Sequence, residues 1–307
     1  MIRTSGYYKQ KGIGEELVDN SEFEEGMENW VWYGWNKVEW IDKYHNEPAL
    51  KCTFKAVLAN VRYDSIIEVN PEDIMLMGIT VEEPSTSLPV RFGLFRYDKF
   101  GYHIGSNEWY YTVTPTSATC TTVYRLFAIS EQLSKYEGWQ SVIRGVLPSV
   151  MCSGTDGWNE NDVLNIKSIS LRRVNPDKLK TFPVSLIDIN TNNPSLNTNY
   201  YGEKYFTGIF KEADYLLYID RLENAGGNDI TLQVSIESYD VTTQKWFTSV
   251  IFDDVVVQSE PVTNQTQVKV ATAGLGFYQR VRWYIKDSGG GGDADQWRFK
   301  VGVTYKQ

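Results

Sequence analysis

The sequence predicts an all-β protein: two tandem, jelly-roll-like β-sandwich domains preceded by a short N-terminal arm. Three observations lead there. Hydrophobicity alternates with period two, helical periodicity is scarce, and 307 residues exceed one ordinary sandwich but suit two. Period two means one face buried and one wet, as in an antiparallel sheet. Leu232, Val234 and Ile236 alternate with Gln233, Ser235 and Glu237, and Val281, Trp283 and Ile285 alternate with Arg280, Arg282 and Lys286. Trp297, Phe299, Val301, Val303 and Tyr305 alternate with Arg298, Lys300, Gly302, Thr304 and Lys306. The one helical turn expected, Ser130–Lys135, is too short to form a layer.

Taken from the N-terminus, residues 1–16 read as an arm, with Tyr7 and Tyr8 among lysines and glycines, poorly suited to fold alone. Residues 17–175 form the first domain and 180–307 the second. Between them, Val174–Lys180 carries Pro176 in a polar stretch that follows a strand-like run. Tyr97–Gly101 and Asp240–Lys245 have hairpin-loop chemistry, whereas Asn224–Asp229 and Ser288–Asp293 are longer glycine-rich connections. The two domains show no self-similarity.

Composition excludes several function classes. A net charge of −9 opposes sequence-independent binding to nucleic acid, which needs a basic stripe, and opposes an anionic membrane surface. A neutral glycan or another protein is the expected partner. Three cysteines, Cys52, Cys120 and Cys152, lack metal spacing and are expected to be buried thiols. No apolar run near Met1 resembles a signal peptide, so the expected setting is a cytosol, or a virion assembled there.

Catalytic patterns are missing. With only His45 and His103, histidine bases are scarce, and there is no nucleophile elbow or phosphate loop. The pairs Gly12-x-Gly14 and Gly274-x-Gly276 read as turns. A glycosidase needs only two facing carboxylates, for which Asp253-Asp254 and Glu24-Glu25 are the candidates. Neighbours on a strand, however, point to opposite faces. No enzyme activity is expected.

Leu17-Val18-Asp19-Asn20-Ser21-Glu22-Phe23-Glu24, followed by Gly26 and Trp30, resembles the opening strand and turn of carbohydrate-binding-module jelly rolls. Ala49–Cys52, Val90–Asp98 and Gly138-Trp139 look like later strands of that family, so the resemblance spans most of residues 17–174. It implies glycan binding by stacking sugar rings on exposed aromatics. The candidate rings are Trp32, Trp35, Trp40, Trp109 and Tyr111, with Trp35 the ring expected to be exposed because Gly34 interrupts the alternation. The alternative is that these rings fill the core or a protein interface. The family also implies a structural calcium with Glu24 as co-ligand. Here Lys167 stands where the family has an acid, and no other cofactor is expected.

Asp229–Ser238, Lys245–Thr248, Leu275–Ile285 and the closing run Trp297–Tyr305 resemble a small sandwich of phage head and tail structural proteins. That resemblance implies a virion component that decorates or reinforces the capsid and contacts coat or head–tail proteins, with self-association possible through exposed sheet edges. The alternatives are a tail-associated adhesin gripping a host surface glycan and a glycoside hydrolase.

Overall fold

The computed structural model describes residues 12–45, 47–55, 57–82, 88–104, 110–115, 120–129, 143–226, 228–272, 275–287, 289 and 294–307. Among these, regular structure is β-strand with brief 3-10 turns, and no helix is long and apolar enough to cross a membrane. The expected helical turn Ser130–Lys135 and the Gly138-Trp139 strand start lie outside the described residues. The chain separates into two compact units, Met1–Lys178 and Leu179–Gln307.

The first unit contains β1 (Ile13–Glu16), β2 (Trp30–Tyr33), β3 (Trp35–Tyr44), β4 (Glu47–Phe54), β5 (Leu58–Tyr63) and β6 (Ile67–Glu68). It continues with β7 (Ile74–Glu82), β8 (Val90–Asp98), β9 (Tyr110–Val113), β10 (Thr121–Ala128), β11 (Ile143–Ser153) and β12 (Val163–Val174). One sheet has the order β10-β7-β12-β4-β3, with β1 on β12. The other has the order β2-β5-β11-β8-β9, with β6 on β11. Consecutive strands repeatedly fall in different sheets, as expected for a jelly roll. Leu50, Ile79 and Leu171 of the first sheet and Val61, Phe92 and Val150 of the second share one buried core. Fully burying each such side chain contributes roughly 1.5–3 kcal/mol.

Residues 13–16, assigned to the arm by sequence, are in fact a strand: Ile13 pairs with Val174 and Glu16 with Arg172. Ile13-Gly14-Glu15-Glu16 has no apolar alternation, so pattern could not reveal it. Its anchor is the Glu16 carboxylate, which accepts the backbone N–H of Leu171 at 2.7 Å and faces Arg172 at 3.3 Å. Burial raises the Glu16 pKa, while those donors pull against it.

The second unit contains β13 (Thr181–Asn192), β14 (Asn199–Tyr201), β15 (Tyr205–Phe206), β16 (Glu212–Asn224) and β17 (Ile230–Asp240). β18 (Lys245–Ile251), β19 (Val255–Val257), β20 (Val262–Ala271), β21 (Tyr278–Asp287) and β22 (Ala294–Lys306) complete it. Its sheets have the orders β13-β22-β16-β20 and β14-β21-β17-β18, with β15 on β21 and β19 on β17. The alternation seen in sequence becomes burial: Trp297, Phe299, Val301, Val303 and Tyr305 all point inward. The Asp240–Lys245 loop closes β17 onto β18, with Asp240 accepting the N–H of Thr242 at 2.9 Å and the hydroxyl of Thr243 at 2.8 Å. The other expected hairpin also forms, where Asp98 accepts the N–H groups of Phe100 and Tyr102.

Candidate functional site

The predicted rings separate sharply. Trp35, the ring expected to be exposed, is only 6% exposed and lies in the core, edge-on to Phe54 at 6.0 Å. The cause is Gly34, whose φ of +76° turns the chain out of β2 and into β3, which belongs to the opposite sheet. A Cβ there would sit 2.0 Å from the Leu58 carbonyl oxygen, so the corner requires glycine. Inside and outside are therefore reset at Trp35 rather than continued from Tyr33. Tyr111 also turns inward, packing on Phe92 at 6.1 Å and Phe127 at 5.1 Å. Trp40 is 40% exposed, but its indole N–H is committed to the Phe23 carbonyl at 2.9 Å. Trp32 is 49% exposed on the edge strand β2, opposite the core residue Val61. Trp109 lies outside the described residues.

A different set of side chains meets on the outer face of the β11 sheet. Residues directly opposite in an antiparallel pair share a face, so register alone assembles it. One row runs Tyr33, Asn60, Met151, Arg91, Thr112, and the next runs Val31, Arg62, Ser149, Gly93, Tyr110. Phe95 stands opposite Leu147 and Tyr97 opposite Gly145 on the same side. Gly93 has no side chain and Ser149 a short one, so the middle of the second row is low between Arg62 and Tyr110. Tyr33 is 70% exposed at one margin.

Cations and rings interlock on this face. The Arg62 guanidinium lies 5.8 Å from the Phe95 ring centre and Arg91 lies 6.0 Å from that of Tyr110. Arg91 is also tied to Asp156 at 2.5 Å. His103 meets Phe95 at 5.4 Å and Tyr97 at 5.6 Å. Burial first, then the charges of Arg96 and Arg62, push the His103 pKa below its ordinary value. Two polar atoms stand out at the centre: Asn60 Oδ1 and Ser149 Oγ are buried with no hydrogen-bond partner among the described residues. They are two of nine buried side-chain polar atoms that lack a hydrogen-bond partner among the described residues.

Sequence reasoning missed most of this set. Tyr33 and Tyr110 belong to the two aromatic clusters of the sequence, but pattern favours their neighbours as the candidate rings. Alternation gives the signal afterwards: Ala59, Val61 and Tyr63 face the core, so Asn60 and Arg62 point to the other side of the sheet, where Asn60 is itself buried.

Glu24 is exposed, and no cluster of three His, Cys, Asp or Glu side chains suited to a metal exists among the described residues. Lys167 lies at a bulge in β12 and is buried, pairing with Glu47 at 3.3 Å and lying 5.7 Å from the Tyr44 ring centre. It joins a polar cluster on the outer face of the first sheet, where buried Glu82 accepts from Tyr44 at 3.0 Å and from Cys120 at 3.3 Å. Burial and the Glu82 contact push the Tyr44 phenol up to about 12. Cys52 and Cys152 are buried as expected, but Cys120 is exposed at the margin of this cluster.

The acidic pairs are engaged separately. Asp253 takes the Lys269 ammonium at 2.8 Å, while Asp254 accepts from Gln233 at 2.9 Å. Glu24 and Glu25 are both exposed on the turn before β2.

No family model matches the chain, and no curated protein matches it. Among solved structures, it is similar to the CBM22-1–CBM22-2 tandem from Paenibacillus barcinonensis Xyn10C at 12% identity and a TM-score of 0.38. That match covers 97% of this chain and 99% of the other. The module TmCBM61 in complex with β-1,4-galactotriose is similar over 52% of this chain and 99% of its own, at 15% identity and a TM-score of 0.36. The enzymatically active domain of bacteriophage CBA120 tailspike protein 4 matches over 52% of this chain and 21% of its own, at 12% identity and a TM-score of 0.38. Scores at this level say nothing about the ligand of this chain.

Proposed function

We propose that the protein is a non-catalytic glycan-binding protein and that its first unit holds a neutral saccharide chain on the outer face of the β11 sheet. One observation carries this reading: Tyr33, Phe95, Tyr97 and Tyr110 share a face with Asn60 Oδ1 and Ser149 Oγ, two buried acceptors lacking partners among the described residues. Sugars offer apolar ring faces for aromatic side chains and hydroxyl groups for the two acceptors, which a ligand reaches only if the side chains covering them shift. Arg62 adds charged donors for ring hydroxyls.

A glycan array probed with the full chain tests the reading. Binding to neutral oligosaccharides is expected, falling about tenfold in Tyr33→Ala through the loss of ring contact and covered area. Array-wide silence, or binding unchanged in both Tyr33→Ala and Asn60→Ala, would sink it.

A virion setting is a second reading, favoured by one feature of the second unit. Leu216, Val268 and Val270 are exposed on a single outer face, since Leu216 pairs with Val268 and Val270 lies two residues beyond. An exposed apolar patch on a sheet suits contact with a coat protein. Co-purification of the chain with heads or tails would support this reading, and recovery free of particles would count against it.

A further inference from the structure

The second unit carries its own ring-and-guanidinium face, on the outer side of the β14-β21-β17-β18 sheet. Register places Tyr201 opposite Arg282, Arg280 opposite Glu237, and Tyr239 between Tyr278 and Trp246. The Arg280 guanidinium lies between two rings, 4.2 Å from the centres of both Tyr201 and Trp246. It is fixed by Glu237, whose Oε2 accepts Nε at 2.7 Å and faces the terminal nitrogen at 2.7 Å. The pairing neutralises Arg280 and makes the assembly a rigid planar stack rather than a free charge.

Its neighbours differ. Arg282 gives Nε and a terminal nitrogen to Asn199 Oδ1, at 2.9 and 2.7 Å, and this acceptor is neutral. Lys204 lies 5.6 Å from the Tyr278 ring centre. Lys286 points to the same side, opposite Thr231. None of these three cations has a carboxylate partner among the described residues. Exposed Tyr201 (51%) stands between Arg280 and Arg282. A protein of net charge −9 therefore gathers three cations without carboxylate partners among the described residues on one aromatic sheet face, where Asp254 is held by the neutral Gln233.

From this charge complementarity and the ring stack we infer that the face binds an acidic saccharide, a chain of pyranose rings bearing carboxylates. Rings on both sides of a fixed guanidinium offer flat contact to a sugar, and Arg282, Lys204 and Lys286 meet its negative groups. The cations are few and separated by rings, which suits carboxylates interspersed with sugar faces. A nucleic acid needs a continuous basic stripe along its phosphates, which three cations separated by rings do not form. This face is independent of the one on the first unit.

The test is affinity electrophoresis of the full chain through gels containing polygalacturonate, neutral xylan or no polymer, with single-stranded DNA as a competitor. Retardation by polygalacturonate is expected, weakening between about 50 and 200 mM salt as surface charges are screened. Arg282→Gln is expected to weaken it about tenfold, because a charge-assisted contact is lost from a half-buried position. Tyr201→Ala should weaken it without unfolding the unit, whereas Tyr33→Ala should leave it intact. Absence of retardation, retardation unchanged in Arg282→Gln and Tyr201→Ala, or release by DNA at lower concentration than by free polygalacturonate would each overturn the inference.

Discussion

The interior of the second unit and the outer face of the first both place polar side chains out of water, yet they treat them oppositely. Behind β21, Gln279 is completely buried; its Oε1 accepts from Tyr215 at 2.7 Å and Tyr305 at 3.1 Å, and its Nε2 donates to Ser238 at 3.1 Å. Ser238 passes a proton bond to Ser249 at 2.9 Å, and Ser249 ends the chain on the Ile236 carbonyl at 3.1 Å. Burial lifts the Tyr215 phenol far above its usual range, so it stays a donor. On the β11 sheet, Asn60 Oδ1 and Ser149 Oγ have no such closure among the described residues. A closed network serves the fold, while buried polar atoms left unpaired cost stability.

The largest expected effect tests the closed side. Gln279→Ala removes the acceptor from two buried phenols and the donor from Ser238, and should destabilise the second unit by about 3 kcal/mol. Hydrogen exchange should show faster opening of β21 and β22, with β11 and β12 unchanged. Unaltered protection would mean that the network is not what secures this core.

The open side predicts the reverse sign. Ser149→Ala deletes a buried hydroxyl with no described partner, so the first unit should be unchanged or more stable by up to about 1 kcal/mol in urea unfolding. Saccharide binding should weaken at the same time. Loss of stability in Ser149→Ala would show that the hydroxyl is structural and would remove the main support for the site.

How far each region was legible follows from the same contrast. The sandwiches were readable because alternation reports burial directly, as in Trp297–Tyr305. The site was not, because it depends on which strands become neighbours. Tyr33 joins Asn60, and Ser149 joins both Arg62 and Gly93, only through pairings between strands far apart in sequence. Trp35 failed for a related reason: pattern shows that Gly34 breaks a strand, but not that the chain changes sheets there. On the second unit Arg280 and Glu237 were visible as outward residues, yet their enclosure between Tyr201 and Trp246 required β14 and β18 to flank β21 and β17.

The smallest expected effect separates the two faces by pH. Both histidines of the chain, His45 and His103, lie in the first unit, and His103 sits beside Arg62 and Arg96, which with burial depress its pKa. A depressed histidine binds fewer protons folded than unfolded. Its penalty is therefore absent above the unfolded value of about 6.5 and grows as pH falls through that value toward the folded one. The first unit should lose stability over that window, and His103→Gln should flatten part of the loss. The Glu16 contribution is common to both proteins and cancels in the comparison. The second unit has no histidine and should show no step of this origin, so urea midpoints of each unit measured from pH 7.5 down to about 5.5 bracket the window. An equal slope in the first unit with and without His103 would mean that its protonation is as easy folded as unfolded, and that the positive charge on the β11 face is better screened than its geometry implies.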